Sequence, residues 1–176
     1  MFEAIPQQST AVLVEMVLGR HRITGEVRLS GAPRRLLDML NGIEGNFLQV
    51  HDGRLEDLMR EGEEPHTFGL AQVHLDSILF ATPRSEAPER GDSFDVVQKI
   101  PIEAVVIVPG FDISGRAFVL ADGQRSEGPI LGTRRFAPLA DATIISADDR
   151  SRVWREPILV VNLARAVLCL PPGVEA

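Results

Sequence analysis

The chain of 176 residues reads as all-β, built from two tandem small β-barrel units with one short helix in the first. Three observations predict this. Residues 12–29, VLVEMVLGRHRITGEVRL, recur in degenerate form as residues 102–120, IEAVVIVPGFDISGRAFVL. In both stretches a β-rich apolar run meets a glycine, Gly19 or Gly110, and resumes toward a second, Gly25 or Gly115. Two further blocks recur in the same order at an offset of 89 residues: 47–55 against 136–144, where Phe and Asp coincide, and 71–80 against 160–169. Self-similarity at a fixed period marks a structural unit written more than once. The expected division is a first unit over 1–83, a linker over 84–99 and a second unit over 100–176.

Each element follows from local pattern. Residues 1–10 hold Pro6 and two glutamines and read as an irregular lead-in. Residues 11–18 are apolar except for Glu15, as in a strand covered on much of both faces. From Arg20 apolar and polar residues alternate through His21, Ile23, Val27 and Leu29, a strand with one wet face. Pro33 suits the first position of a helix, where its missing N–H costs nothing. Leu36, Leu37 and Leu40 fall on one side of that helix, and Asn41-Gly42 stops it. Phe47, Leu48 and Val50 make a third strand, expected to turn at Asp52-Gly53. Residues 56–65 are acidic and read as a solvated excursion, after which residues 68–80 complete the unit. The linker carries Pro83, Pro88, Gly91 and the acids Glu86, Glu89, Asp92 and Asp95 at or near its bounds. In the second unit the sequence ADGQRSEGP over 121–129 replaces the helix, since Gly123, Gly128, Pro129 and Gly132 oppose one.

Bulk composition narrows the class. Hydrophobic content of 44% with 24% charged residues describes a folded chain. Units of roughly 75 residues bury only about 60% of their unfolded surface, so they are expected to lean on each other or on a neighbouring chain. Net charge is −7, and neither half is positive: eight basic and thirteen acidic residues precede Glu89, ten and twelve follow from it. That balance disfavours a nucleic-acid binder. Of the basic residues only Lys99 is a lysine, which codon usage explains as readily as function. The single cysteine, Cys169, in the apolar run LCLP, excludes an intrachain disulfide and reads as a buried thiol in a reducing compartment. The start lacks a basic region followed by an apolar one, and no run reaches bilayer-spanning length, so a cytoplasmic location and no transmembrane segment are expected.

The order of strand, glycine turn, strand with a second glycine, strand bearing Asp and late strand resembles the Sm and Sm-like small barrel. The matching positions are Gly19, Gly25 and Asp52 in one unit and Gly110, Gly115 and Asp141 in the other. The chain departs from that pattern in lacking the RNA-contacting asparagine after the aspartate and the arginine-glycine pair of the second motif. Arg35-Leu36-Leu37-Asp38-Met39-Leu40-Asn41 before the third strand is similar to a bacterial domain family with an R-L-x-D-x-L-N stretch, to which no activity attaches. Asp112-Ile113-Ser114-Gly115 resembles the D-x-S-x-x-G element of PilZ cyclic-dinucleotide barrels, but Ala117 stands where its closing glycine would fall and the upstream arginine pair is missing. The plainer reading is a turn in which Asp112 and Ser114 satisfy backbone donors.

Catalytic chemistry finds little to build on. His21, His51, His66 and His74 lack metal-ligand spacing, and no Cys or carboxylate pattern accompanies them. No G-x-S-x-G elbow occurs, and there is no tyrosine. The most suggestive cluster is Arg134-Arg135 with Arg150, Arg152, Trp154 and Arg155. Arginine beside an aromatic can stack bases and hold phosphates, yet the same residues anchor protein interfaces, and Asp148, Asp149 and Glu156 offset their charge. The sequence therefore predicts a non-catalytic binding or assembly module working through protein–protein contacts, with itself in a homo-oligomer or ring, or with another protein. It predicts no cofactor, no metal and no catalytic residue. The alternative is nucleic-acid or nucleotide binding through the Arg/Trp loop of the second unit.

Overall fold

A computed structural model describes residues 10–29, 35–60, 62–85, 99–120 and 134–170. The described chain is all-β with one α-helix. In order it runs through β1 (Thr10–Leu18), β2 (His21–Leu29), α1 (Leu36–Gly42), β3 (Phe47–Asp57), β4 (His66–His74), a 3-10 turn (Leu75–Ser77) and β5 (Phe80–Pro83). It then continues through β6 (Lys99–Val108), β7 (Phe111–Leu120), β8 (Phe136–Ser146), β9 (Val153–Asn162), a second 3-10 turn (Leu163–Arg165) and β10 (Val167–Cys169). Pro33 and residues 121–133, with the expectations placed on them, lie outside the described residues.

All ten strands belong to one antiparallel sheet in the order β10-β6-β7-β8-β9-β5-β1-β2-β3-β4. Read by halves, the order is β5-β1-β2-β3-β4 in one and β10-β6-β7-β8-β9 in the other, which is the same internal sequence of first to fifth strand. The halves meet where β9 pairs with β5, through Phe80 opposite Val161 and Ala81 opposite Val160. Matching devices sit at matching places. Gly19 (φ +65°) and Gly110 (φ +84°) turn the hairpins β1–β2 and β6–β7, a conformation that glycine adopts without steric cost.

Asp52-Gly53 does not turn the chain. β3 runs straight through it to Asp57, with Asp52 at φ +48°, and β8 carries Asp141 at φ +50° inside an equally long strand. Beside each aspartate the register against the neighbouring strand slips, between Thr24 and Glu26 and between Ser114 and Arg116. These are bulges, which bend a strand and increase its twist. At the first the backbones come so close that a Cβ on Gly53 would lie 2.4 Å from the Thr24 carbonyl oxygen, and one on Gly25 would lie 2.6 Å from the Val50 side chain. Residues 112–115, expected as a turn, likewise lie inside β7.

The two halves are not separately closed barrels. Among the described residues the sheet ends at β4 and β10, and each core takes residues from the other half. The first, around Val14, Met16, Leu40 and Val50, includes Phe136 and Val160; the second, around Val106, Ile113, Ile144 and Leu159, includes Val17, Leu79 and Phe80. The physical reason is the one that small size implies: each set of five strands leaves a face uncovered and uses its neighbour to cover it. α1 seals the first core with Leu36, Met39 and Leu40. At the bounds of the expected linker, Arg84 and Ser85 bond to β1 and Lys99 pairs with Leu120; residues 86–98 lie outside the described residues.

The last repeated block is offset by one from the sequence reading. His74 and Asn162 each cap a 3-10 turn with the side chain and stand opposite Phe47 and Phe136, so these strands correspond at 88 residues.

Candidate functional site

Joining two sets of strands at one short ladder demands further contacts, and the side chains at the seam provide them. Asn162, fully buried, donates its Nδ2 to the carbonyls of Leu75 (3.1 Å) and Ile78 (2.9 Å) and accepts at Oδ1 from the Ala164 N–H (3.0 Å). Asn41 at the end of α1 pairs like a strand with the Phe136 backbone, donating to its carbonyl and accepting from its N–H, both at 3.0 Å. Arg84 at the end of β5 grips Glu156 of β9 in a two-point fork at 2.8 and 2.9 Å and reaches Glu15 of β1 at 3.0 Å. Bonding to Glu156 holds the Arg84 guanidinium above its ordinary pKa, against the opposing effect of burial. A fork of this kind fixes geometry as well as charge.

On one side of the seam a cleft of about 700 Å³ lies between the β1–β2 turn and the β8–β9 turn. Its charges answer one another. Arg20 bonds Asp57, which the Met59 N–H also reaches, and these contacts hold the Asp57 carboxyl below the usual carboxylate range, its bond to Arg20 first. Arg22 pairs with Glu56 at 2.5 Å. Arg152 donates to the Leu58 carbonyl and faces Asp149 at 3.4 Å. Asp149 is itself held below its ordinary pKa by the Ser151 hydroxyl and N–H. Neither histidine nor cysteine lines the cleft, and a serine hydroxyl bonded to a carboxylate with no imidazole beside it is not an activated nucleophile. Among the described residues no group of three or more His, Cys, Asp or Glu side chains is placed to hold a metal ion.

The six residues singled out from sequence do not form one patch. Arg134 and Arg135 precede β8 at its Phe136 end, where Arg135 faces Asp76 at 3.6 Å. Arg150, Arg152 and Trp154 gather at the other end, around the β8–β9 turn, roughly 30 Å away at the usual rise per strand residue. There Arg150 faces Asp112 at 3.7 Å, while the Trp154 ring packs edge-on against Phe111 at 5.7 Å, itself edge-on to Phe80 at 5.3 Å. Arg155 is exposed on the face opposite Arg152 and Trp154. Trp154 thus extends the second core more than it offers a stacking platform.

Unpaired sheet edges are what small apolar sheets lead one to expect; what the sequence did not locate is where, among the described residues, those edges lie and which apolar side chains flank them. Val105, Ile107 and Val167 are 44, 43 and 60% exposed, and with Cys169 they occupy one face, since Val167 lies opposite Ile107 and Cys169 opposite Val105. Cys169 is exposed, where a buried thiol was expected. At the far edge Leu70 of β4 is 54% exposed. The unbroken apolar run of β6, AVVIV, carried the signal: such runs belong to strands covered on both faces, and here one face of β6 is bare.

Comparison with family models, curated proteins and solved structures finds no match to this chain. Among the described residues no helix is long and apolar enough to cross a membrane.

Proposed function

We propose that this protein is a non-catalytic assembly module whose working surfaces are the two ends of its sheet. The observation that carries the reading is that, among the described residues, a ten-stranded sheet terminates in β4 and β10 with apolar side chains exposed beside both. An unpaired strand presents a row of N–H and carbonyl groups that template pairing with another chain. Strand addition of this kind takes affinity from the main chain and specificity from alternate side chains. On this reading the two halves are copies of one Sm-like small-barrel plan, fused so that one edge of each is consumed internally and one edge of each remains. Support for the duplication comes from the common strand order, the paired bulges and the capped 3-10 turns.

The charge pattern gives the nucleic-acid alternative less support. Arg135, Arg150 and Arg152 each face a carboxylate, and Trp154 is engaged with Phe111. The test is what accompanies the untagged protein through purification and what mass it shows by light scattering at micromolar concentration. Protein-bound or self-associated material, insensitive to nuclease and to moderate salt, is the expected result. A strictly monomeric protein carrying RNA, with affinity falling steeply as salt rises, would overturn the reading.

A further inference from the structure

Resting on that reading, we infer that the partner of the β4 edge is the β10–β6 edge of a second copy of this chain, docked in the geometry the chain already uses once between β9 and β5.

The internal junction supplies the template. Leu18 opposite His21 and Val108 opposite Phe111 close equivalent hairpins, so Val17 of β1 corresponds to Ile107 of β6. Phe80 stands opposite Val17 and Val167 stands opposite Ile107, so Phe80 corresponds to Val167. On the other side Val161 and Val73 each precede the residue that caps a 3-10 turn, so β9 corresponds to β4. The internal pair Phe80 with Val161 then becomes Val167 of one copy with Val73 of the next. Leu168 follows opposite Gln72, and Cys169 opposite Ala71.

Burial agrees with this register. Val17 and Phe80 point away from the core of their own half, yet they are only 3 and 2% exposed because the second half covers them. Their counterparts Ile107 and Val167 are the bare residues at the β10–β6 edge. In the docked register they lie on the same face as Val73, which points into the first core, so the next copy's first half would cover them as the second half covers Val17 and Phe80.

Backbone groups agree too. The Leu75 N–H bonds the Asn46 carbonyl while Phe47 lies opposite His74, which places Val73 and Ala71 at hydrogen-bonded positions against β3 and leaves the N–H and carbonyl of Gln72 and Leu70 directed outward. On β9 the counterpart of His74 uses its outward N–H in this way, since the Asn162 N–H bonds the Leu79 carbonyl across the internal junction. The contact joins different surfaces of the two copies, so it propagates head to tail.

Cys169 makes the register testable in the full chain, because it is the sole cysteine. In the docked register residue 71 of one copy and Cys169 of the next are directly opposed at a non-hydrogen-bonded position, about 4.5 Å apart at Cα and within disulfide reach. Under mild oxidation Ala71→Cys should give a ladder of covalent multimers that reductant collapses. Gln72→Cys points to the other face and should give at least tenfold less, and the wild type should stop at a dimer. Without oxidation the wild type should scatter as a multiple of 19.3 kDa. Gln72→Pro, which removes an outward N–H and spares the β3 ladder, should return it to the single-chain mass while keeping the folded far-UV circular dichroism spectrum, with a melting temperature that no longer depends on protein concentration. A multimeric protein in which Ala71→Cys gives no more ladder than wild type would overturn this pairing and leave the assembly reading standing. A wild type that remains monomeric yet retains another polypeptide would overturn the second copy as partner. A monomer that retains nothing would overturn both.

Discussion

Replacing Asn162 by alanine tests whether the two halves are held as one body. Its side chain is fully buried and makes three hydrogen bonds to backbone atoms of Leu75, Ile78 and Ala164. The first two belong to the opposite half. Truncation removes those bonds and leaves two carbonyls and one N–H to find other partners in a place that water enters poorly. At about 1 kcal/mol for each bond, with further cost where a buried group is left unpaired, the loss should be about 3 kcal/mol. For a chain of this size that is roughly a 6–12 °C fall in melting temperature. Urea unfolding followed by far-UV circular dichroism and by Trp154 fluorescence gives the number and its cooperativity. Both probes should move together, because Trp154 belongs to the second core and that core contains Phe80 and Val17 of the first half. Asn162→Asp keeps the acceptor but points a carboxylate oxygen at two carbonyls, and should cost at least as much. A loss below about 0.5 kcal/mol for the alanine variant, or separate transitions by the two probes in the wild type, would refute the reasoning.

Other substitutions read other parts of the same fold. A methyl group on Gly25 would sit 2.6 Å from Val50 Cγ1 and 2.9 Å from the His51 carbonyl, whereas on Gly115 the nearest atom is 3.1 Å away. Gly25→Ala should therefore destabilise by about 1–3 kcal/mol, as overpacking does, and Gly115→Ala by distinctly less in the same denaturant assay. Arg84→Met strips Glu156, 7% exposed, of its fork; breaking a buried pair costs 3–5 kcal/mol, and with Arg84 a third exposed about 2 kcal/mol is expected. The double variant with Glu156→Gln should recover much of it in a double-mutant cycle. Asp57 is depressed chiefly by its bond to Arg20. Its contribution is therefore complete above the unfolded carboxylate pKa of about 3.9 and is lost as pH falls through the lower folded value. Asp57→Asn should flatten that acid limb of the stability curve, and the Asp57 carboxyl resonance in the wild type should titrate below the usual range.

Much of the fold was legible because it is written in local pattern. The β1–β2 and β6–β7 hairpins followed from β-rich apolar runs that meet Gly19 and Gly110, and α1 from three leucines with an Asn-Gly stop. Asp52-Gly53 misled for a definite reason. A residue at positive φ followed by glycine suits a two-residue turn and an in-strand bulge equally well, and only the partner strands, β2 and β4, decide which forms. Closure misled in another way, since two units that resemble small barrels carry no local mark saying that β9 will take β5 as its neighbour. The arginine cluster failed through distance. Arg134 and Arg152 are close in sequence but occupy opposite ends of the hairpin that β8 and β9 form, and a strand pair separates such residues by its whole length.

The two junctions, the internal one observed and the external one inferred, differ chemically in a way that gives assembly a direction. Inside the chain the seam carries Glu15, Arg84 and Glu156 as a tight charged triple. By the same correspondence, the outer edges put Val105 where Glu15 stands and Phe68 where Glu156 stands. An external edge that displaced the internal one would bring Phe68 against Arg84 or Val105 against Glu156 and strand a half-buried guanidinium or a buried carboxylate, a penalty on the order of several kcal/mol. Apolar edges meeting each other incur no such penalty. Specificity of this sort comes from making the wrong pairing costly as well as the right one favourable. On the inferred pairing, it would let a chain hold two nearly equivalent sets of strands side by side and join copies end to end without its own halves exchanging.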